Sequence, residues 1–541
     1  MRKRIAWLLV LSILCSVLLC GCDNDSELGR LVNMLTGQNA GQVKFSGMQY
    51  VHPDMDAFSD TLEESCRLAK ESRDISAVED GIWAVYDAYD DFYTNLNLAD
   101  IHYSADLTDT YWKQEYNYCT SVSSEVDASL ESLYQALAQS PIRDTLEGED
   151  YFGEGFFDSY EGDGFWDETL SDYMNRQAEL VSQYYDLAGQ ALEVEEGSEA
   201  YYTQYGTQMA QLYVDLIALR QELADYLGYE SYPQFAYDYY YYRDYTPEQA
   251  EAYTQRIRET MVPLYRQING SDFWDRDWGY YTSDQTFSYV QDCAKEMGGD
   301  IWDAFRLLKR RELYDLDMAD NKYDSSFEVY LTTYQVPYIF TNPQGTAYDP
   351  LTFAHEFGHF CNDYVSGGSA AGTDVAEVFS QGMEYLSLCY GQPDEQVRRL
   401  KMMDCLNVYV EQAAYASFEQ QVYGLTGEDL TVENVQALYG RIGREFGFDS
   451  WNWDERDFVT LTHYYTNPMY IISYVVSNDA AFQFYQMEQQ EAGSGLSHFR
   501  QNLNTEEQYF LSFLQQAGLT TPFDEDRPAA VAALLETELT K

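Results

Sequence analysis

Positive charge is scarce in this sequence. Against 91 Asp+Glu stand only 32 Lys+Arg, a formal balance of −59, and a surface so negative repels phosphate backbones, which argues against nucleic acid as a partner. Proline is scarce as well, at 12 residues in 541, and from Leu31 onward there is no low-complexity linker and no repeat period. Histidine numbers only six. The sequence holds neither a Cys-x-x-Cys pair nor a Cys/His cluster, so a structural zinc site of that kind is not expected. What it has in plenty is tyrosine, 51 residues, within an apolar content of 45% that excludes a mainly disordered chain. A Tyr keeps one polar end and suits a wet groove as well as a core.

The first residues read as an address. Arg2, Lys3 and Arg4 precede an apolar run from Ile5 to Cys20 that is shorter than the roughly 20 residues of a spanning helix. Leu19-Cys20-Gly21-Cys22 and the abrupt polar turn at Asp23-Asn24-Asp25 resemble a bacterial lipoprotein cleavage box. Residues 1–21 are thus expected to be a signal, with Cys22 carrying a lipid that anchors the protein outside the cytoplasmic membrane. The six remaining cysteines, Cys66, Cys119, Cys293, Cys361, Cys389 and Cys405, are too widely spaced for a stapled scaffold and are expected to be mostly buried thiols.

Helical patterns dominate the rest. Met209, Leu212, Tyr213, Leu216, Ile217, Leu219 and Leu223 keep helical spacing, and Thr246-Pro247-Glu248-Gln249 opens another helix with a cap and a proline. The stretch from Asp144 to Asp167, crowded with Gly, Asp, Glu and Phe, reads as a loop setting off an N-terminal helical region. Phe327 to Tyr334 and Val336 to Phe340 are β-branched and aromatic, which predicts a small sheet, and Pro337 places its strand at an edge.

Directly after that sheet comes His355-Glu356-Phe357-Gly358-His359. On a helix, histidines four apart project from one face and can grip one zinc, while Glu356 can reach an attacking water. Zinc catalysis needs a third protein ligand and an open position. Downstream, Asp374, Glu377, Ser380, Gln381 and Glu384 share one face of a second helix, and either Glu377 or Glu384 could turn to the metal. Asp374 is a candidate acceptor for a ligand histidine's other nitrogen.

His355-Glu356-Phe357-Gly358-His359 followed by Ala376-Glu377-Val378-Phe379-Ser380 resembles the thimet oligopeptidase and oligoendopeptidase F family of zinc metallopeptidases, most closely the oligoendopeptidase F branch. The resemblance implies a ligand set of His355, His359 and Glu377, although the step from His359 to Glu377 is shorter than is usual in the family and Glu384 is the alternative. It implies that Pro337 to Asn342 is a substrate-facing edge strand. Around Thr462-His463-Tyr464-Tyr465-Thr466-Asn467-Pro468-Met469-Tyr470 it places His463, Tyr470 and Tyr474 beside the substrate, where hydroxyls and an imidazole would stabilise an oxyanion. The similarity runs from about Tyr201 to Leu514 and is loose before that. The implied architecture is mainly α: a large helical metallopeptidase body with a deep substrate channel and a small β-sheet beside the zinc helix. Residues 22–200 would be an N-terminal helical region and residues 201–541 the catalytic region. The implied activity is zinc-dependent cleavage of oligopeptides, with Glu356 as general base. The competing reading is a lipid-anchored peptide-binding protein without turnover.

Overall fold

Aspartates start the N-terminal helices. In the computed structural model, which describes residues 43–148, 151–160, 168–191, 194–275, 278–368, 371–392, 394–448 and 453–540, Asp54 accepts the Ala57 N–H ahead of α1 (Met55–Glu71). Asp74 accepts that of Ser76 ahead of α2 (Ile75–Ala105). Asp109 accepts those of Tyr111 and Trp112 ahead of α3 (Thr110–Ala138). Each carboxylate satisfies orphan N–H groups at the positive end of a helix, so an acid-rich sequence caps helices readily. The signal segment and Cys22 lie outside the described residues.

These three helices share a core of their own, including Val78, Val85, Leu133 and Leu137. The stretch expected to be a loop from Asp144 helps close it. Phe156–Tyr160 forms a 3-10 turn, burying Phe157 and Tyr160, and the Tyr134 ring lies 5.6 Å from Phe156 and 5.1 Å from Tyr160. Glycine and aspartate give the stretch its loop-like composition, yet the interleaved aromatics supply the burial that fixes the turn.

The main core takes in the following α4 (Glu168–Ala191) and α5 (Thr207–Tyr226). All seven apolar positions expected on α5 are buried, and Thr246 and Gln249 form the capping box that opens the helix at Pro247. Tyrosine proves to be core material: Tyr213, Tyr464 and Tyr465 are fully buried, and Tyr184 stacks on Tyr465 at 3.7 Å. Arg220, only 1% exposed, is satisfied among these rings by the carbonyls of Tyr464 and Tyr465. The six cysteines are free, four of them buried. Among the described residues no helix is long and apolar enough to cross a membrane.

The small sheet is present, but its order corrects the edge-strand expectation. Strand β3 (Val336–Thr341) lies between β1 (Tyr314–Asp315) and β2 (Ser326–Leu331). It is antiparallel to β2 along its length and parallel to β1 only at Ile339 and Phe340. Pro337 sits beyond the reach of the two-residue β1, so its missing N–H costs no ladder bond. All six β3 residues are buried. The stretch from Pro337 to Thr341 is therefore an inner, buried strand and not an edge offered to a peptide, and the outer strands are β1 and β2.

After the sheet come α6 (Asp349–Ser366), α7 (Thr373–Ser387), α8 (Glu395–Asn407), α9 (Ala413–Val422) and α10 (Ile472–Gln490), with α7 packed against both α6 and α10. Glu419 on α9 is buried and accepts the Met469 N–H at 2.7 Å. Burial pushes its carboxyl up to about 8, against the opposing Met469 bond and the charges of Arg220 and Arg243. A raised carboxyl favours folding fully below its unfolded value of roughly 4.3 and loses that contribution as pH rises through its folded value. The midpoint of urea unfolding should accordingly fall between pH 5 and pH 8, and Glu419→Gln should fall less over the same interval. An equal fall in the two proteins would contradict this assignment.

Candidate metal centre

Helix α6 starts where Asp349 gathers backbone N–H groups from the preceding turn, those of Gln344 at 3.1 Å, Gly345 at 2.8 Å and Thr346 at 3.2 Å. Gly345 makes that turn possible with φ +72°. Pro350 occupies the first turn, where no N–H is needed, and Gly367 ends the helix in the left-handed region. Halfway along, Gly358 decides how close α7 comes. A Cβ there would stand 2.4 Å from the Phe379 carbonyl oxygen and 2.6 Å from the Ser380 Cα, so only glycine lets the two backbones cross at this distance. The crossing delivers Glu377 to the histidines.

His355 Nε2 lies 3.5 Å and His359 Nε2 3.8 Å from Glu377 Oε2, and the three donor atoms all fall within 4.8 Å of one another. Zinc bonds of roughly 2.0–2.1 Å hold tetrahedral ligand atoms about 3.3 Å apart, so this set fits that ion with little movement. The histidine side chains are 22% and 20% exposed, while Glu377 is 5% exposed. The donors thus form a floor at which the histidines keep partial access to solvent, as an open coordination position requires.

Glu384 is not part of that floor. Its Oε1 meets His355 Nδ1 at 2.8 Å and its Oε2 meets Lys401 Nζ at 2.8 Å, so it stands behind His355 and leaves Nε2 facing the other donors. This is the position expected for Asp374, and the expectation is corrected. Asp374 is buried against Arg243 at 3.2 Å, the Tyr245 hydroxyl at 2.7 Å and the Ser473 hydroxyl. It ties α7 to the start of α10 instead of touching a histidine.

The buried charges shape one another. Burial opposes charge on His355, but the Glu384 hydrogen bond and the charges of Glu356, Glu377 and Glu384 outweigh it and raise the imidazole to about 9. His359 goes the other way, to about 4, because burial is only partly offset by Glu377. Glu377 stays below the usual carboxylate range, since His359, His355 and the hydroxyls of Tyr470 and Ser380 overcome its burial. Glu356 is pushed up to about 7 by burial, with His355 opposing and Glu377 and Glu384 adding. A carboxylate tuned near neutrality suits a group that must both take and return a proton.

Over this floor stand the three residues expected on the substrate side. The Tyr470 hydroxyl donates to Glu377 Oε1 at 2.7 Å, and the Tyr474 hydroxyl lies 3.4 Å from His463 Nε2. The ring of Tyr470 is 5.5 Å from that of His463 and 5.2 Å from that of Tyr474. Burial lowers the His463 pKa, with Glu377 opposing, which leaves a neutral imidazole. The segment is clamped one residue before Tyr470. Met469 has φ +69°, a costly conformation for a side chain, held by Glu419 on its N–H and by Arg243 on its carbonyl at 2.9 Å. The Tyr241 hydroxyl bonds the Pro468 carbonyl at 2.9 Å, and Arg243 lies 4.3 Å from the ring centres of both Tyr237 and Tyr241.

Sequence reasoning missed Arg243, Lys401 and Glu328. Lys401 had a signal: a cation flanked by Leu400 and Met402-Met403 in a chain so poor in lysine. Glu328 had none. On β2, which α6 packs against, its Oε1 is buried and accepts no hydrogen bond, and burial with the charges of Asp363 and Glu356 pushes its pKa far up.

Residues 45–163 match the family model described as the Peptidase M3 N-terminal domain, the region for which the sequence resemblance was loosest. No curated protein matches the sequence. Among solved structures, one given as an oligoendopeptidase F is 21% identical with a TM-score of 0.78, covering 92% of this chain and 99% of its own. Pz peptidase A with an inhibitor is 19% identical with a TM-score of 0.76, covering 92% and 99%. An oligoendopeptidase F from Bacillus anthracis is 19% identical with a TM-score of 0.74, covering 92% and 98%. The fold is theirs over nearly the whole length.

The Tyr470 bond to Glu377 predicts a measurable effect on metal. Tyr470→Phe should keep the fold by circular dichroism yet weaken zinc binding about 10-fold or more, the lower end for loss of a ligand's supporting hydrogen bond. Unchanged affinity in a chelator competition would show that the hydroxyl does not support Glu377.

Proposed function

We propose that this chain, which carries the Peptidase M3 N-terminal domain and the oligoendopeptidase F fold, is a zinc-dependent endopeptidase acting on short unfolded peptides. The observation that carries the reading is the convergence of His355 Nε2, His359 Nε2 and a Glu377 oxygen within 4.8 Å, with Glu356 one residue from His355. Zinc bound by these three residues would supply a Lewis acid that polarises a peptide carbonyl and acidifies water. Glu356 takes a proton from the attacking water and returns it to the departing amine. Its pKa of about 7 lets it do both near neutral pH. The imidazole N–H of His463 and the hydroxyl of Tyr474 donate to the oxyanion that develops on the substrate, while the Tyr470 hydroxyl beside them keeps its proton on Glu377 and holds that ligand in place. Peptides are the substrates suggested by the similarity to oligoendopeptidases, and a channel in the helical body would admit extended chains.

The basic, apolar and Cys22-bearing start of the sequence supports a place on the outer face of a bacterial cell membrane, held by a lipid on Cys22. Mass spectrometry of the mature protein from its native membrane should find a diacylglycerol-modified Cys22 at the N-terminus; an unmodified one would remove the anchor.

Purified protein should hold one zinc per chain, lost in His359→Ala. Glu356→Gln should retain zinc and lose about 10²–10⁴-fold in kcat/KM on a quenched oligopeptide. Cleavage unchanged in that variant would sink the enzyme reading. Tight peptide binding with no zinc and no cleavage in the parent would favour a binding protein without turnover.

A further inference from the structure

A buried ammonium stands two bonds behind the metal floor. Lys401 on α8 is 1% exposed, and its Nζ lies 2.8 Å from Glu384 Oε2 and 2.9 Å from Asp404 Oδ2. Glu384 passes the contact on through its other oxygen, 2.8 Å from His355 Nδ1. The ammonium also sits 4.5 Å from the centre of the Tyr385 ring, whose hydroxyl donates to Asn478 at 2.7 Å. Lysine, Glu384 and His355 therefore form one line from the hydrophobic interior to the donor set, built from α8, α7 and α6 in turn.

We propose that Lys401 is a positioning residue of the metal centre, anchoring Glu384 so that the carboxylate holds the His355 ring with Nε2 toward the cation. This rests on the zinc site proposed above. Glu384 is buried next to two further carboxylates, Glu356 and Glu377, whose charges act on the same histidine. A carboxylate packed beside its own kind is pushed toward water unless a cation holds it. His355 cannot supply that hold, because a histidine that gives its Nε2 lone pair to a metal is neutral and offers Glu384 only an Nδ1–H. Lys401 is the one cation in contact with Glu384 among the described residues. Remove it, and Glu384 has a reason to turn away, taking with it the bond that fixes the ring's orientation. Asp404, 30% exposed on the side chain, keeps the lysine itself charged and seated at this depth.

The effect should be read in zinc affinity, by competition with a chromophoric chelator on the purified full chain. Lys401→Met and Glu384→Gln are each expected to weaken zinc binding about 10–100-fold. The double variant should be no weaker than the worse single, because both substitutions break the same line. Lys401→Arg, which restores the charge, should recover most of the loss. Zinc affinity in Lys401→Met within about twofold of the parent would overturn the proposal, as would losses that multiply in the double variant. If Lys401→Met does not fold, Glu384→Gln carries the test alone: parent-like affinity there would show that nothing passes along the line. A parent protein that binds no zinc would overturn the metal-centre reading itself, and this inference with it.

Discussion

The candidate metal centre depends on how closely α6 and α7 can approach. Gly358 presents bare backbone to the Phe379 carbonyl and the Ser380 Cα, and that contact fixes the spacing at which an acid from one helix meets two histidines from the other. The donors sit on rigid, well-packed helices instead of loops, so their separation is set by backbone contact and not by side-chain reach.

The protein distributes its scarce cations in a consistent way. Arg220, Arg243, Arg311, Lys322 and Lys401 are all buried, although the chain has only 32 Lys+Arg in total. Arg243 neutralises Asp374, Lys401 neutralises Glu384, and Arg527 reaches the fully buried Asp479 at 2.8 Å. Buried carboxylates left alone are costly, and breaking such a pair is worse than never having had it. One of these pairs holds the segment expected on the substrate side: Arg243 touches both Asp374 and the strained backbone at Met469, so the position of Tyr470 is coupled to a charge pair on the neighbouring helix.

Much of this was legible in the sequence, and the limits were physical. Periodicity located α5 because its apolar face is continuous, and the histidine spacing located the donors because a helix turn dictates it. Choosing between Glu377 and Glu384 was beyond periodicity, since both share a face; the difference lies in which neighbours, Tyr470 or Lys401, meet each carboxylate in three dimensions. Asp374 was misplaced for the same reason, its partner Arg243 lying 131 residues away. Pro337 misled because the rule that proline marks an edge concerns the N–H of one residue, and β1 is too short to ask for it. The turn at Phe156–Tyr160 was hidden because glycines and acids alternate with aromatics there, and spacing alone does not tell which rings meet Tyr134 in the core.

The cysteines have a consequence for where this body can be made. None of the six described thiols is cross-linked, and burial raises the pKa of Cys361, two residues from His359, well above its ordinary value. A thiol held protonated is a poor nucleophile and a poor rival for a divalent ion. Among the described residues, reductants therefore have no bond to open, and mild oxidants find few sulfurs ready to react.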